Sequence, residues 1–257
     1  MQGKTVLVTG AGSGLGKAAA LALAAAGADL ALLGRTPDEL EETAAAVAAH
    51  GGKVVSLIAD IADLGEMQSA FAKLESEFGK LDGVFANAGI NGTWAPLDDL
   101  SYDEWNETMR INLGGTFLTM HLSVPLMKRH GGSIVITSSI NGTRTFTNGG
   151  ASAYSTTKAG QLALGQMAAL ELARYGIRVN VICPGAIDSE IDDNTSKRHA
   201  QRATVRANFP DGTVPLTKGE PGSANDVARL VKFLLSDESS HISGTPIWID
   251  GAQSLLV

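Results

Sequence analysis

Tyr154 and Lys158 stand four residues apart at the start of a stretch, 154–175, whose apolar residues recur with helical period. Residues at that spacing share one face of a helix, so a phenol and an ammonium converge on one place. A free tyrosine titrates near ~10 and is a poor base at neutral pH. A neighbouring cation favours the phenolate and lowers that value. The pair therefore reads as a general acid/base in which the lysine tunes the tyrosine. Taken alone it proves little, because a Tyr and a Lys four apart arise by chance in many helices.

A second constellation lies near the start of the chain, where Thr9-Gly10-Ala11-Gly12-Ser13-Gly14-Leu15-Gly16-Lys17 follows a β-branched run and opens a helical stretch. Glycines there allow a tight turn and a close backbone approach to a ligand. The helix N-terminus then offers N–H groups and a partial positive charge to a pyrophosphate. A triphosphate loop, G-x-x-x-x-G-K-[ST], fails twice, because Ala11 stands where its first Gly belongs and Ala18 where its hydroxyl belongs. The dinucleotide reading survives, although Gly10, Gly14 and Gly16 are not spaced as G-x-G-x-x-G. About 20 residues further on, an acid would take the ribose 2′-OH of NAD. Gly34 stands there instead, and Arg35 and Thr36 follow. A guanidinium at that point suits a 2′-phosphate and favours NADP(H).

Short apolar, mostly β-branched runs near 5–8, 30–33, 54–58, 84–86, 133–137, 178–182 and 246–249 alternate with helical stretches near 14–26, 38–50, 64–78, 102–130, 154–175 and 224–235. That alternation predicts βαβ units and an α/β fold with a parallel sheet. Several strands are apolar on both faces, as a sheet covered on both sides requires. Residues 186–222 break the rhythm with Asp188, Glu190, Asp192, Asp193, then Lys197, Arg198, Arg202 and Arg206, then Pro210, Pro215 and Pro221. A long polar excursion of this kind predicts a lid over a site.

The chain has 257 residues, a length suited to one domain, 1–257. It carries 20 Lys and Arg against 27 Asp and Glu, so the net charge is −7 and the basic footprint of a nucleic-acid binder is missing. A single cysteine, Cys183, excludes an internal disulfide. The five histidines lack metal-site spacing, so no metal is expected. Met1–Lys4 runs straight into the first strand and no apolar stretch reaches a membrane span's length, so a soluble, cytoplasmic protein is expected. No serine has the G-x-S-x-G flanking of a hydrolase elbow.

Thr9-Gly10-x-x-x-Gly14-x-Gly16, Asn87-Ala88-Gly89, Tyr154-Ser155-Thr156-Thr157-Lys158 and Pro184-Gly185 occur in that order. Together they resemble the short-chain dehydrogenase/reductase family in its compact single-domain form, close to the 3-oxoacyl-carrier-protein reductases, over nearly the whole chain. The resemblance implies a Rossmann-type, doubly wound sheet of seven parallel strands with helices on both faces. It implies hydride transfer between a nicotinamide cofactor and an alcohol or carbonyl, with Tyr154 as the proton donor in reduction.

It also implies that Ser139, rather than its neighbour Ser138, holds the substrate oxygen, and that Asn112 orders a water joined to Lys158. The 139–154 separation is about two residues longer than the family's, which places an insertion in the loop 141–150. Cofactor contacts carried over by resemblance are Gly10, Ser13, Gly14, Leu15, Gly16, Arg35, Thr36, Asp60, Ile61, Asn87, Ala88, Gly89, Tyr154, Lys158, Pro184, Gly185, Ile187 and Ser189. Two departures stand out. Ala86 replaces the first Asn of the family's N-N-A-G segment, and Ser13 stands where NADP-preferring relatives often carry a basic residue, which keeps NAD(H) open. Segments 91–97, 139–150 and 186–222 should line the substrate pocket, with Trp94 and Phe146 as apolar candidates. The family also implies a homotetramer, with Leu162, Met167, Leu170 and Leu172 partly at the interface. A non-catalytic dinucleotide sensor would share the glycine turn, yet it has no need of Asn112, Ser139, Tyr154 and Lys158 together.

Overall fold

A computed structural model describes residues 1–188, 194–204, 209 and 212–256. Seven strands form its main sheet: β1 (Thr5–Thr9), β2 (Asp29–Gly34), β3 (Val54–Ile58), β4 (Gly83–Ala86), β6 (Gly132–Thr137), β7 (Ile177–Pro184) and β11 (Pro246–Ile249). Their order is β11-β7-β6-β4-β1-β2-β3, and every pairing is parallel. The chain winds outwards from β1 to β3, then returns to β4 on the other side of β1. That reversal opens a crevice beyond the strands' C-terminal ends, where such sheets bind ligands.

Period-two alternation gives the sheet two buried faces. Val6 and Val8 of β1 point to the side covered by α1 (Gly14–Ala25), α2 (Pro37–Ala48) and α7 (Ala224–Leu235). Leu7, between them, points to the side covered by α3 (Leu64–Phe78), α5 (Gly115–Met127) and α6 (Ser152–Leu172). Burial of this apolar surface on both faces is the main force holding the layers together.

The expected helix 102–130 is not continuous. It divides into α4 (Tyr102–Met109), a π-turn (Arg110–Gly114) and α5. A π-turn inserts extra backbone into the helical ladder and re-aims the residue within it, here Asn112. Gly115, directly after the turn, lies so close to Ile61 that a Cβ there would come within 2.5 Å of that side chain.

The polar excursion departs and returns through one pair of short strands, β8 (Ile187–Asp188) and β10 (Gly222–Ser223). Within it, β9 (Thr195–Lys197) pairs with β5 (Gly92–Trp94), which follows β4. Arg198 bonds to Glu104 at 2.6 and 2.9 Å and lies 3.5 Å from Asp99. His199 reaches Asp99, and Arg202 lies 3.6 Å from Asp98. Arg198 and Arg202 therefore meet carboxylates in and just before α4, and Arg206 lies outside the described residues.

Candidate active site

A cleft of about 530 Å³ opens at the crevice beside β1 and β4. It is lined by Gly10, Ser13, Gly14 and Leu15 from the first turn, Arg35 and Thr36 after β2, and Asp60 and Ile61 after β3. Asn87, Ala88 and Gly89 after β4 also line it, as do Ser139, Tyr154, Lys158, Pro184, Gly185 and Ile187. Gly16 does not reach the wall. It packs on the turn from behind, and a Cβ there would come 1.9 Å from the Gly10 carbonyl oxygen. Ser189 lies outside the described residues. The motif reading passed over Gly12, Lys17, Glu39, Glu42, Thr137 and Asn194, which line the cleft as well. Glu39 and Glu42 carry no motif; only their place on the first turns of α2 brings them to the mouth.

The first turn is shaped for an anion. Gly10 has φ +66°, the left-handed region that favours glycine. Ser13 is the N-cap of α1 but its hydroxyl does not cap the helix, and no acidic residue sits in the first turn. The positive end of the α1 dipole faces the cleft, with the Glu39 carboxylate beside Gly12 of the same turn. Asn87 staples three strand ends together: its N–H donates to Thr9 Oγ1, its Nδ2 to the Thr9 carbonyl, and its Oδ1 accepts from Thr137 Oγ1. A glycine turn, a helix N-terminus and an open crevice fit a dinucleotide.

At the other end of the cleft, α6 presents Tyr154 and Lys158, both buried. The Lys158 ammonium donates to the Thr137 carbonyl at 3.0 Å and lies 5.4 Å from the centre of the Tyr154 ring. The adjacent serines have different partners. Ser138 donates to the Lys158 carbonyl at 2.7 Å, so its hydroxyl holds α6 to the end of β6. The Ser139 hydroxyl lines the cleft with Tyr154 and accepts from the Asn141 N–H at 3.1 Å. The longer 141–150 loop folds back locally: Thr143 donates to the Ser139 carbonyl, and the Gly150 carbonyl accepts from Ala95. Asn112 lies behind the cleft wall, fully buried. Its side chain clasps the N–H and carbonyl of Ile90, each at 2.8 Å, and reaches Thr157 Oγ1 at 3.1 Å.

One electrostatic expectation is overturned. The spacing predicts a phenol pulled down by its lysine, yet burial dominates and pushes Tyr154 up to about 12, with the Ser139 hydroxyl pulling the other way. Burial also brings Lys158 down to about 8. Desolvation disfavours both charged forms, and an ammonium held against the Thr137 carbonyl does not offset it.

Trp94 lies 6.4 Å from the Tyr154 ring at 45°, and Lys197 sits over the Trp94 indole at 5.5 Å. Phe146 is largely exposed. Leu172, expected partly at an interface, is 5% exposed and belongs to the core, because it falls on the sheet-facing side of α6. Met167 and Leu170 lie on the open side.

A doubly wound parallel sheet, an anion-shaped first turn and a buried Tyr-Lys pair beside a serine hydroxyl define a nicotinamide-dependent oxidoreductase. A family model described as enoyl-(acyl carrier protein) reductase matches residues 10–252. Levodione reductase of Leifsonia aquatica is 37% identical, over 98% of this chain and 94% of that protein. The crystal structure of a 3-ketoacyl-ACP reductase from Sinorhizobium meliloti 1021 is 54% identical, covers 98% of this chain and 100% of that one, and superposes with a TM-score of 0.95. Carveol dehydrogenase from Mycobacterium avium, solved in complex with NAD, is 29% identical, covers 100% of this chain and 99% of that one, and has a TM-score of 0.88. The chain belongs to the short-chain dehydrogenase/reductase family. It is accordingly an NAD(P)-dependent enzyme acting on alcohols and carbonyls. No helix among the described residues is long and apolar enough to cross a membrane.

Proposed function

We propose that the protein reduces a small-molecule carbonyl, with Tyr154 as general acid, Ser139 as the group that orients the substrate oxygen, and Lys158 and Asn112 as their support. The observation that carries this reading is the convergence of Ser139, Tyr154 and Lys158 on one wall of the cleft. Both hydroxyls can meet one oxygen there. The bound nicotinamide supplies the hydride in reduction and accepts it in alcohol oxidation. Ser139 donates to the carbonyl oxygen and fixes its orientation. Tyr154 Oη gives up its proton as negative charge develops on that oxygen, and a protonated phenol is the form that burial favours. The Lys158 ammonium then lies close enough to stabilise the phenolate left behind.

The cofactor is NADP(H) in this reading. Arg35 is exposed at the cleft wall, and among the described residues no carboxylate pairs with it. Glu39 and Glu42 line the same mouth and oppose a 2′-phosphate, but Lys17 holds Glu42 in an ion pair at 2.6 Å. Residues 186–222 act as a lid, fixed by Arg198 on Glu104 and by the β5–β9 pair. The assembly is a homotetramer built on α5 and α6, and the protein works in the cytoplasm, where buried Cys183 stays reduced.

The test is absorbance loss of NADPH and NADH across a panel of ketones and diketones. Tyr154→Phe should lower kcat by roughly 10²–10⁴ while leaving cofactor binding intact. Retained turnover would remove Tyr154 from the reaction. Arg35→Ala should raise KM for NADPH about tenfold and leave NADH unchanged.

A further inference from the structure

The helix that carries Tyr154 and Lys158 places a third polar side chain on the same face. Gln161 follows Lys158 by three residues and Tyr154 by seven, so the three stack along one side of α6. Gln161 is 1% exposed. Its amide donates from Nε2 to the Asn112 carbonyl at 3.0 Å and to Thr116 Oγ1 at 2.7 Å. Thr116 Oγ1 itself donates to the Asn112 carbonyl, so it must accept from Gln161, and the network fixes which way the amide points. Gln161 Oε1 has no hydrogen-bond partner among the described residues. An unsatisfied buried acceptor destabilises a fold, and a leucine or methionine would fill the same space without one. Stability alone does not account for a glutamine here.

Its partner explains it. Asn112 is the middle residue of the π-turn. The Asn112 side chain holds both backbone groups of Ile90, directly after the Asn87-Ala88-Gly89 wall of the cleft. Its Nδ2 also donates to Thr157 Oγ1, which donates to the Tyr154 carbonyl. Asn112 is thus tied to α6 on both sides of Lys158, by Thr157 before it and Gln161 after it. A Cβ on Gly89 would lie 2.9 Å from Asn112 Oδ1 and 3.9 Å from Lys158 Nζ, so wall, asparagine and ammonium are packed together.

We propose that Gln161 is a positioning residue: its amide pins the Asn112 carbonyl, fixes the π-turn, and so sets where the Lys158 ammonium stands relative to Tyr154. This rests on the reading of Tyr154 and Lys158 as the reacting pair. Gln161 acts through Asn112 and touches neither substrate nor cofactor.

The experiment compares Gln161→Leu, Gln161→Met and Gln161→Glu in the full chain with a neutral ketone substrate. Leu and Met should retain cofactor affinity within about twofold and lower kcat roughly tenfold with little change in ketone KM. They should also move the alkaline limb of the kcat profile by about one pH unit, because the ammonium that stabilises the phenolate has moved. In the cofactor-free protein, amide exchange across 110–116 should quicken. Glu should recover kcat at acidic pH, where its carboxylic acid can donate to the Asn112 carbonyl, and lose it on ionising. If Leu does not fold, Met and Glu carry the comparison. The proposal is overturned if these variants change only the melting temperature and leave kcat, the alkaline limb and amide exchange as in the wild type. A wild-type protein that turns over no carbonyl overturns the underlying reading as well, and that result is separate from any Gln161 effect.

Discussion

Ser138 and Ser139 are chemically identical neighbours with opposite duties, and a single methyl-for-hydroxyl exchange separates them. In the proposed mechanism Ser139→Ala removes the donor to the substrate oxygen and should cost roughly 10–10³ in kcat/KM, read by steady-state kinetics. Ser138→Ala removes a buried bond to the Lys158 carbonyl and should cost about 1 kcal/mol of stability, or roughly 2–4 °C of melting temperature, while kcat stays within about threefold. Equal kinetic loss in both variants would refute the division. The pH response belongs at this scale too. Burial holds Lys158 near about 8 and Tyr154 near about 12, so at neutral pH both are mostly protonated. Raising the pH first discharges the ammonium. Carbonyl reduction should therefore be sustained at pH 7 and fall as pH climbs through about 8, well before the phenol itself ionises. A reduction rate flat to the far side of that limb would mean that the lysine charge is not needed.

At the scale of elements, the glycine turn is held from behind by a contact that tolerates no side chain. Gly16→Ala drives a Cβ into the Gly10 carbonyl, so β1 and α1 must part. Cofactor affinity should drop at least about tenfold and the melting temperature should fall with it, measured by calorimetry and thermal unfolding. The lid clamp makes a prediction in acid. Arg198 and the Ser101 N-cap hold Glu104 down to about 2, against an ordinary 4.5. A carboxylate with a depressed folded pKa stabilises above its unfolded value and loses that contribution as pH falls through the folded one. Closure by the clamp should therefore weaken between about 4.5 and about 2, seen as faster proteolysis of residues 194–204. Arg198→Ala should be equally cut at neutral pH.

These elements were unequally legible in the sequence. Each main-sheet strand announces itself by a short apolar run, β-branched in most of them though not in β2, and the glycine turn by its own composition. The π-turn does not, because nothing in the residue types of 102–130 marks where the backbone gains extra length. Leu170 and Leu172, two residues apart, fall on opposite sides of α6, and only packing against the sheet shows which side is core. Glu39 and Glu42 reach the site through tertiary approach, which no local spacing records. The upward shift of Tyr154 was hidden for the same reason, since burial outweighs a neighbour that spacing alone made dominant.

At the scale of the molecule, the two faces of the sheet are covered but the outer sides of α5 and α6 are not. Phe117 on α5 is 50% exposed, and Met167 and Leu170 on α6 are 69% and 79% exposed. Met167 and Leu170 are three residues apart and form one stripe. Large apolar side chains grouped on helices that carry Lys158 and the π-turn mark a surface that gains by being covered. The proposed homotetramer would bury it against its own copy, and the symmetry of such an interface would make each residue count in every contact. Replacing Met167 and Leu170 together by Glu places like charges opposite one another and should split the assembly to smaller species in sedimentation velocity. Because neither side chain belongs to the core, the separated protomer should keep its fold by circular dichroism. Its kcat should still fall, since α6 would lose the support that keeps Tyr154 and Lys158 in register with the cleft. Unchanged sedimentation in the double variant would place the interface elsewhere, and dissociation with full activity would show that one chain completes its own site.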